Sequence, residues 1–352
     1  MENEKKIVCK NFLKKHNGDI FVLITQLNRL WYSGISTTEG YIVITKNNSY
    51  LLLDDRYYYS FASRKDIKVI RCNSMNEYFN FISSIPNCKK ALYENSISIE
   101  QYQTFIKPLK LKDDAVNLKE LRMVKTPSEL KKLQESADIV VNTINWIRKT
   151  IKVGLTEKQV AKLVYVHMIE LGASELSFAS IIASGKNSSF PHHSPSDKKI
   201  QKNEFITIDI GCVYDGYCSD ITRTFVIGAP TKRMKEMYNL VLLSQQTGVE
   251  KIRAGMKGSD VDAICRNIIS KNKTWGKMFT HGTGHGVGLE VHELPNNKPI
   301  YHGVLPENSV VTIEPGVYEP NEYGVRIEDT VVVKKGKCVV LTKKADKNIS
   351  IK

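Results

Sequence analysis

Apolar residues recur with two different periods along this chain, and the changes of period outline its architecture. In the first part, short β-rich runs at Ile20 to Thr25, Tyr41 to Thr45, Tyr50 to Leu53 and Val69 to Arg71 read as strands, while Glu4 to Lys15 and Met75 to Ile82 read as helices. This pattern predicts an α/β domain with a mixed sheet. Thr126-Pro127-Ser128-Glu129 then carries a helix start, with Thr at the cap, Pro in the first turn and Glu three residues after the cap. A domain boundary near residue 120 follows, dividing the chain into 1–120 and 121–352.

Further on, the period drops to two. Phe205, Thr207 and Asp209 fall on one face of a strand and Ile206, Ile208 and Ile210 on the other. Tyr214-Asp215-Gly216 supplies turn chemistry, and Ser219 to Val226 returns as the second arm of a hairpin. A turn at Tyr214-Asp215 sets Asp209 opposite Asp220, whereas a turn at Asp215-Gly216 makes them diagonal neighbours on one face. Both registers bring the carboxylates together, where they repel unless a proton, an arginine or a metal offsets their charge. The plain alternative is a surface pair beside Arg223 or a lysine.

The pattern then recurs. Thr312 and Glu314 share a strand face, Arg326 and Glu328 share another, and Pro315-Gly316 with Pro320 to Gly324 makes the connection. Ile151-Lys152-Val153-Gly154, with Val160 six residues after the glycine, is echoed by Ile252-Arg253-Ala254-Gly255 with Val261 at the same offset. Such self-similarity points to a duplicated half-domain with a pseudo-twofold axis, across which the two acidic hairpins face each other. Six of the eight histidines lie between residues 192 and 302. Their placement in glycine-rich, non-helical segments beside acidic strands marks His192, His281, His285 and His292 as site residues. His16, His167 and His302 read as ordinary polar residues, and His193 stays open.

Composition narrows the class. At 352 residues the chain can bury two cores. The net charge of +14 invites a nucleic-acid role, but the lysines are dispersed, without arginine clusters or aromatic-basic motifs. Seven scattered cysteines show no CxxC spacing, and we read them as reduced; a Cys212–Cys218 bridge across the turn is the one conceivable disulfide. Neither a signal peptide nor a membrane-spanning run is indicated, so the expected location is the cytoplasm.

Asp209, Asp220, Glu314 and Glu328 with His285 look like a two-metal hydrolytic centre, equally compatible with phosphatase, nuclease or peptidase chemistry. The ordered set SGKNSSFPHHSPSD, IDIGCVYDGYCSDITRTF, HGTGHGVGLEVHE, TIEPGVY and GVRIEDT goes further. It resembles the Xaa-Pro aminopeptidase and prolidase branch of the pita-bread metallopeptidases. NRLWYSG and LLLDDRYYYSFA resemble that family's N-terminal domain.

The resemblance implies an α/β (α+β) fold. A creatinase-like domain over 1–120 precedes a pita-bread catalytic domain over 121–352, whose half-domains surround a curved antiparallel sheet. It also implies that Asp209 binds one metal, that Asp220 and Glu328 bridge both, and that His285 and Glu314 complete the second. Oxygen-rich ligation with a single imidazole suits Mn(II), with Co(II) or Fe(II) as alternatives. Glu314 would shuttle a proton, His292 would hydrogen-bond the oxyanion, and His192 would act beside them. His192, His281, His292 and Arg326 would contact substrate, with Arg326 ordering Glu328 or a substrate carboxylate.

The implied partners are short proline-containing peptides and a second copy of the chain. Trp31 and Tyr32 read as core, although the family's dimers also allow a loop near Trp31 to cover a partner's cleft. Leu294 to Lys298 offers no arginine for a dipeptide's C-terminal carboxylate, which favours an Xaa-Pro aminopeptidase over a strict Xaa-Pro dipeptidase. Two rivals rank lower. Methionine aminopeptidase needs no domain before its core, and a non-enzymatic basic adaptor predicts salt-sensitive nucleic-acid binding.

Overall fold

In the computed structural model, which describes residues 2–351, the early apolar runs become β1 (Ile20–Leu23), β2 (Tyr41–Thr45), β3 (Ser49–Leu53) and β4 (Lys68–Arg71). With β5 (Lys90–Glu94) and β6 (Lys112–Val116) they form one sheet in the order β4-β3-β2-β1-β5-β6. The pairs β1–β2 and β2–β3 are antiparallel and the other three are parallel, so the sheet is mixed, as the runs predict. Around it lie α1 (Glu2–Lys15), α2 (Gln26–Ser33), α3 (Asp55–Phe61), α4 (Met75–Ser83) and the short α5 (Ile99–Gln101). Every residue of β1 is buried, which explains its unbroken apolar sequence.

Trp31 and Tyr32 lie on α2 and are both buried, with the Tyr32 hydroxyl against that of Ser49. Their burial agrees with the reading of both as core. The segment is helical, and its indole belongs to the packed interior.

The backbone divides into two compact units, Met1–Leu121 and Arg122–Lys352, with the break inside α6 (Leu118–Arg122). The second unit opens with α7 (Pro127–Thr150), where Thr126 accepts from Glu129 N–H and the Glu129 carboxylate accepts from Thr126 N–H. Val140, Val141, Ile144 and Ile147 on α7 then pack against the apolar face of the second unit's central strand. Next come α8 (Glu157–Glu170), β7 (Glu175–Leu176), β8 (Ile181–Ser184), β9 (Phe205–Ile210), β10 (Cys212–Tyr214), β11 (Tyr217–Cys218) and β12 (Ile221–Ile227).

The second half repeats this layout with α9 (Lys232–Lys251), α10 (Gly258–Ser270), β13 (Gly284–Gly286), β14 (Glu293–Asn297) and β15 (Val310–Ile313). It closes with β16 (Gly316–Tyr318), β17 (Gly324–Arg326), β18 (Asp329–Val332), β19 (Val339–Val340) and β20 (Ser350–Ile351). Among the described residues, antiparallel pairing dominates the four sheets of the second unit, apart from β20, which runs parallel to β12.

The duplication is visible in individual hydrogen bonds. Gly154 N–H donates to Ile200 O at 2.9 Å and Gly255 N–H to Leu305 O at 2.9 Å. Ile200 N–H returns to Leu155 O, as Leu305 N–H does to Met256 O. Glu157 N–H donates to Lys198 O and Gly258 N–H to Gly303 O. Both connector glycines are left-handed, with φ of 93° and 91°. The repeated glycine is thus one turn used twice, each copy leading the chain from a long helix into a shorter one.

Among the described residues no helix is long and apolar enough to cross a membrane. All seven cysteines are free, and the hairpin register pairs Cys218 with Val213, not with Cys212. Neither connector glycine has an atom within 4 Å of where a Cβ would sit, so only backbone strain opposes a side chain there. Gly154→Ala and Gly255→Ala should each destabilise the fold by a similar amount, about 1–2 kcal/mol, in urea unfolding.

Candidate metal centre

The β9–β12 hairpin closes at Asp215-Gly216, whose φ values are both positive at 47° and 81°, with Tyr214 paired to Tyr217. The same register continues into β9 and β12, pairing Asp209 with Thr222. Asp220, two residues before Thr222, is therefore the diagonal neighbour of Asp209 on one face. In the second hairpin Ile313 pairs with Asp329 and Gly316 with Arg326, and this shared register sets position 314 opposite position 328. One hairpin offers its acids diagonally, the other directly across.

The two hairpins meet along β12. Glu328 N–H donates to Thr222 O at 3.1 Å, and Thr222 Oγ1 donates to Glu328 Oε2 at 2.8 Å. Arg223 projects from the opposite side of β12, where it is fully buried. There it donates to Asp329 Oδ1 at 2.8 Å and to the Glu328 carbonyl. It does not neutralise the Asp209–Asp220 pair, so the surface ion-pair alternative fails.

His285 arrives on β13 between glycines. A Cβ on Gly284 would lie 2.0 Å from Thr312 O, so only glycine lets the backbone come this close. The ring's Nδ1 lies 3.0 Å from Gly286 O, an acceptor, so this nitrogen carries the proton and Nε2 offers a lone pair. That Nε2 lies 3.3 Å from Glu314 Oε1 and 3.5 Å from Asp220 Oδ2. Burial and the neighbouring His292 push the imidazole down to about 3, keeping it neutral. Donor atoms of Asp220, His285 and Glu328 lie within 4.8 Å of one another.

Electrostatics give the same account. Burial first, then the charges of Glu328, Asp209 and Glu314, push Asp220 well above the ordinary aspartate range. Burial, Glu314 and Asp209 do the same to Glu328. Glu314 is raised to about 7 by burial and Asp209, against the opposing charge of Arg326. Asp209 Oδ1 and Glu328 Oε1 are buried without a hydrogen-bond partner. Carboxylate oxygens left bare beside a neutral imidazole lone pair fit divalent cations, which supply the positive charge the protein withholds.

These residues open onto a cavity of about 580 Å³, lined also by His192, His281, His292 and Arg326. All the residues singled out as site residues therefore converge there. The His292 ring sits edge-on to His285, with centroids 4.2 Å apart. His281 has both nitrogens committed, Nδ1 to Gly282 O and Nε2 to the Tyr318 hydroxyl, each at 2.8 Å. His193 also lines the cavity, with Nε2 2.8 Å from the buried Glu157. His167 stacks on Trp146, His16 packs on Phe12, and His302 is exposed, in keeping with their plain reading.

One expectation changes. Arg326 does not order Glu328: its Nη2 donates to Asp209 Oδ2 at 2.6 Å, Nε to Thr222 Oγ1 and Nη1 to Tyr318 Oη. The register that pairs Arg326 with Gly316 leaves room for the guanidinium to reach across to β9. The segment after His292 does bring a cation, Lys298, into the cavity wall. Tyr318 was missed as well, although it stands four residues after Glu314 inside the TIEPGVY motif.

Residues 131–335 match the metallopeptidase family M24, and residues 9–124 match the creatinase/prolidase N-terminal domain. The chain belongs to metallopeptidase family M24. Among relatives of this M24 peptidase, the Xaa-Pro dipeptidase of Pyrococcus horikoshii is 35% identical over 97% of each chain. Its fold is similar to that of an Xaa-Pro dipeptidase from Bacillus anthracis, with a TM-score of 0.93, 32% identity and 100% of each chain covered. An X-Pro aminopeptidase from Thermotoga maritima has a TM-score of 0.87 and 31% identity, over 93% of this chain and 96% of that one.

The family uses divalent metal ions, and the unpartnered oxygens of this M24 peptidase fit them. Because Glu314 titrates at about 7 without metal, cation binding must displace its proton. Affinity should rise with pH through that value, with proton release seen by calorimetry in buffers of different ionisation heat. With its carboxyl raised from the ordinary 4.5, Glu314 stabilises the metal-stripped fold fully below about pH 4.5, and that contribution is lost as pH rises through about 7. Thermal melts of chelated protein should show this loss, and saturating Mn(II) should remove it.

Proposed function

We propose that the chain is a dinuclear Xaa-Pro aminopeptidase, which hydrolyses the bond between an N-terminal residue and proline. The observation that carries this reading is the set of buried carboxylates with bare oxygens around His285 Nε2, opening onto a wall of four further histidines. Asp209, Asp220, His285, Glu314 and Glu328 would hold two divalent cations. The donor set favours Mn(II), with Co(II) or Fe(II) able to replace it. The catalytic domain is 121–352 and the creatinase-like domain is 1–120. The enzyme acts as a cytoplasmic homodimer on short proline-containing peptides.

When bound, two cations lower the pKa of a shared water and polarise the scissile carbonyl. The chain supplies the rest. Glu314, raised to about 7, can take a proton at neutral pH and hand it to the leaving nitrogen. His292 would donate to the developing oxyanion, a role supported by its position, with His192, in the cavity wall. His281, neutral with both nitrogens occupied, presents its ring as a wall for the pyrrolidine. Arg326 keeps the Asp209 carboxylate oriented, with Oδ1 left for the cation. Proline contributes no N–H, so shape and apolar contact must recognise it.

A second reading, Xaa-Pro dipeptidase, gains from Lys298 in the cavity wall, a cation suited to a dipeptide's free carboxylate. Ala-Pro and Ala-Pro-Ala hydrolysis at several Mn(II) concentrations separates the two, and faster cleavage of Met-Ala than of either would replace both. In the dipeptidase case Lys298→Met should raise KM for Ala-Pro by about tenfold and leave that for Ala-Pro-Ala unchanged, as expected for one charge-assisted hydrogen bond.

Asp220→Asn or His285→Ala should abolish Mn(II)-stimulated release of the residue before proline, and unchanged turnover would sink the site. Glu314→Gln should lower kcat by about 10²- to 10⁴-fold, as loss of a proton shuttle does.

A further inference from the structure

Glu157 is fully buried, yet the metal chemistry makes no use of it. It is the first residue of α8, and its carboxylate accepts hydrogen bonds from six donor atoms, of which Asn187 Nδ2 reaches both oxygens. Ser184 N–H, Ser184 Oγ and Asn187 Nδ2 donate to Oε1 at 2.7–3.0 Å. His193 Nε2, Ser196 N–H and Ser196 Oγ donate to Oε2 at 2.7–3.0 Å. Burial alone would push this carboxyl up, but the donors from Ser196, His193, Asn187 and Ser184 outweigh it and leave the pKa below the ordinary value. The group is a permanent anion whose oxygens are saturated by one segment of chain.

That segment, residues 184–196, carries His192. It contains a single 3-10 turn, at Gly185–Ser189, and no strand or α-helix beyond Ser184, so backbone ladders do little to hold its far part. His192 and His193 both line the cavity, and His193 Nε2 is tied to Glu157. The donors on either side of His192 converge on the same two oxygens. The other half-domain has a counterpart on its own second helix, where buried Asp262 accepts from Thr283 N–H and Oγ1 at 2.9 and 3.0 Å. Arg266, paired to Asp262, donates to the His281 carbonyl. Each half thus sets one cavity histidine from a buried acid on its shorter helix.

We infer that Glu157 is a positioning residue that fixes the 184–196 loop and thereby holds His192 against the substrate, so that it governs peptide binding and leaves metal binding alone. The inference rests on the Xaa-Pro reading for its choice of substrate.

The test is a double-mutant cycle with Glu157→Gln and His192→Ala, reading KM for Ala-Pro-Ala, Mn(II) affinity and amide hydrogen exchange. Glu157→Gln should raise KM by about tenfold or more, as small misplacements of a binding group do. Mn(II) affinity should be unchanged and exchange should quicken only over 184–196. In the His192→Ala background Glu157→Gln should raise KM no further, because its effect passes through that histidine. Ser196→Ala, which removes one hydroxyl donor and keeps the backbone one, should move KM and exchange the same way by less; it carries the test if Glu157→Gln does not fold.

Additive KM effects, weakened Mn(II) binding or unchanged loop exchange would each overturn the inference. If the unaltered protein hydrolyses no Xaa-Pro peptide, it is the proposed function that falls. The exchange and Mn(II) measurements then decide the role of Glu157 by themselves.

Discussion

The catalytic unit is built around a repulsion it does not resolve. Four carboxylates converge in a buried pocket, and the imidazole among them is held neutral by desolvation and by the neighbouring His292. The nearest permanent cation, Arg326, is committed to Asp209 Oδ2 and leaves Asp209 Oδ1 and Glu328 Oε1 bare. Burial of unpaired charge costs several kcal/mol per group in proteins, so such a pocket persists only where protons or cations complete it. Metal affinity and fold stability are therefore coupled at this point.

Holding like charges together requires a stiff frame. The two hairpins supply it because their registers are set away from the acids. The left-handed Asp215-Gly216 turn fixes one, and the pairs flanking Glu314 and Glu328 fix the other. The halves are then cross-linked by Thr222 and Thr224, whose side chains bond Glu328 and Arg326. Arg223 braces the same junction from behind through the Glu328 carbonyl and Asp329. Duplication makes this economical, since one helix-glycine-helix connector, used twice, places both hairpins at equivalent points of their half-domains.

Much of the site could be read along the chain. Strict alternation in Phe205 to Ile210 placed Asp209 on a strand face, and turn chemistry confined Asp220 to one of two neighbouring positions. The structure takes the diagonal one, because Asp215 tolerates positive φ and Gly216 favours it. His281, His285 and His292 were legible from glycine density, since glycine clusters mark where backbone must approach a site. Less accessible were partners separated by long stretches of chain. The choice of Asp209 over Glu328 by Arg326 and the grip of Glu157 on the His192 loop depend on contacts between residues from 27 to 117 positions apart.

What the sequence determined by itself is local and periodic: which segments are strands, where α7 begins, which acids share a face, and that a helix connector occurs twice. Those properties follow from steric and hydrogen-bonding preferences acting over a few residues. Tertiary structure decided which of the buried polar groups satisfy one another and which are left bare. A guanidinium 117 residues from Asp209 occupies one of its oxygens, and nothing occupies the other. Pairing of that kind depends on where folded strands pass in space, and local preference does not encode it.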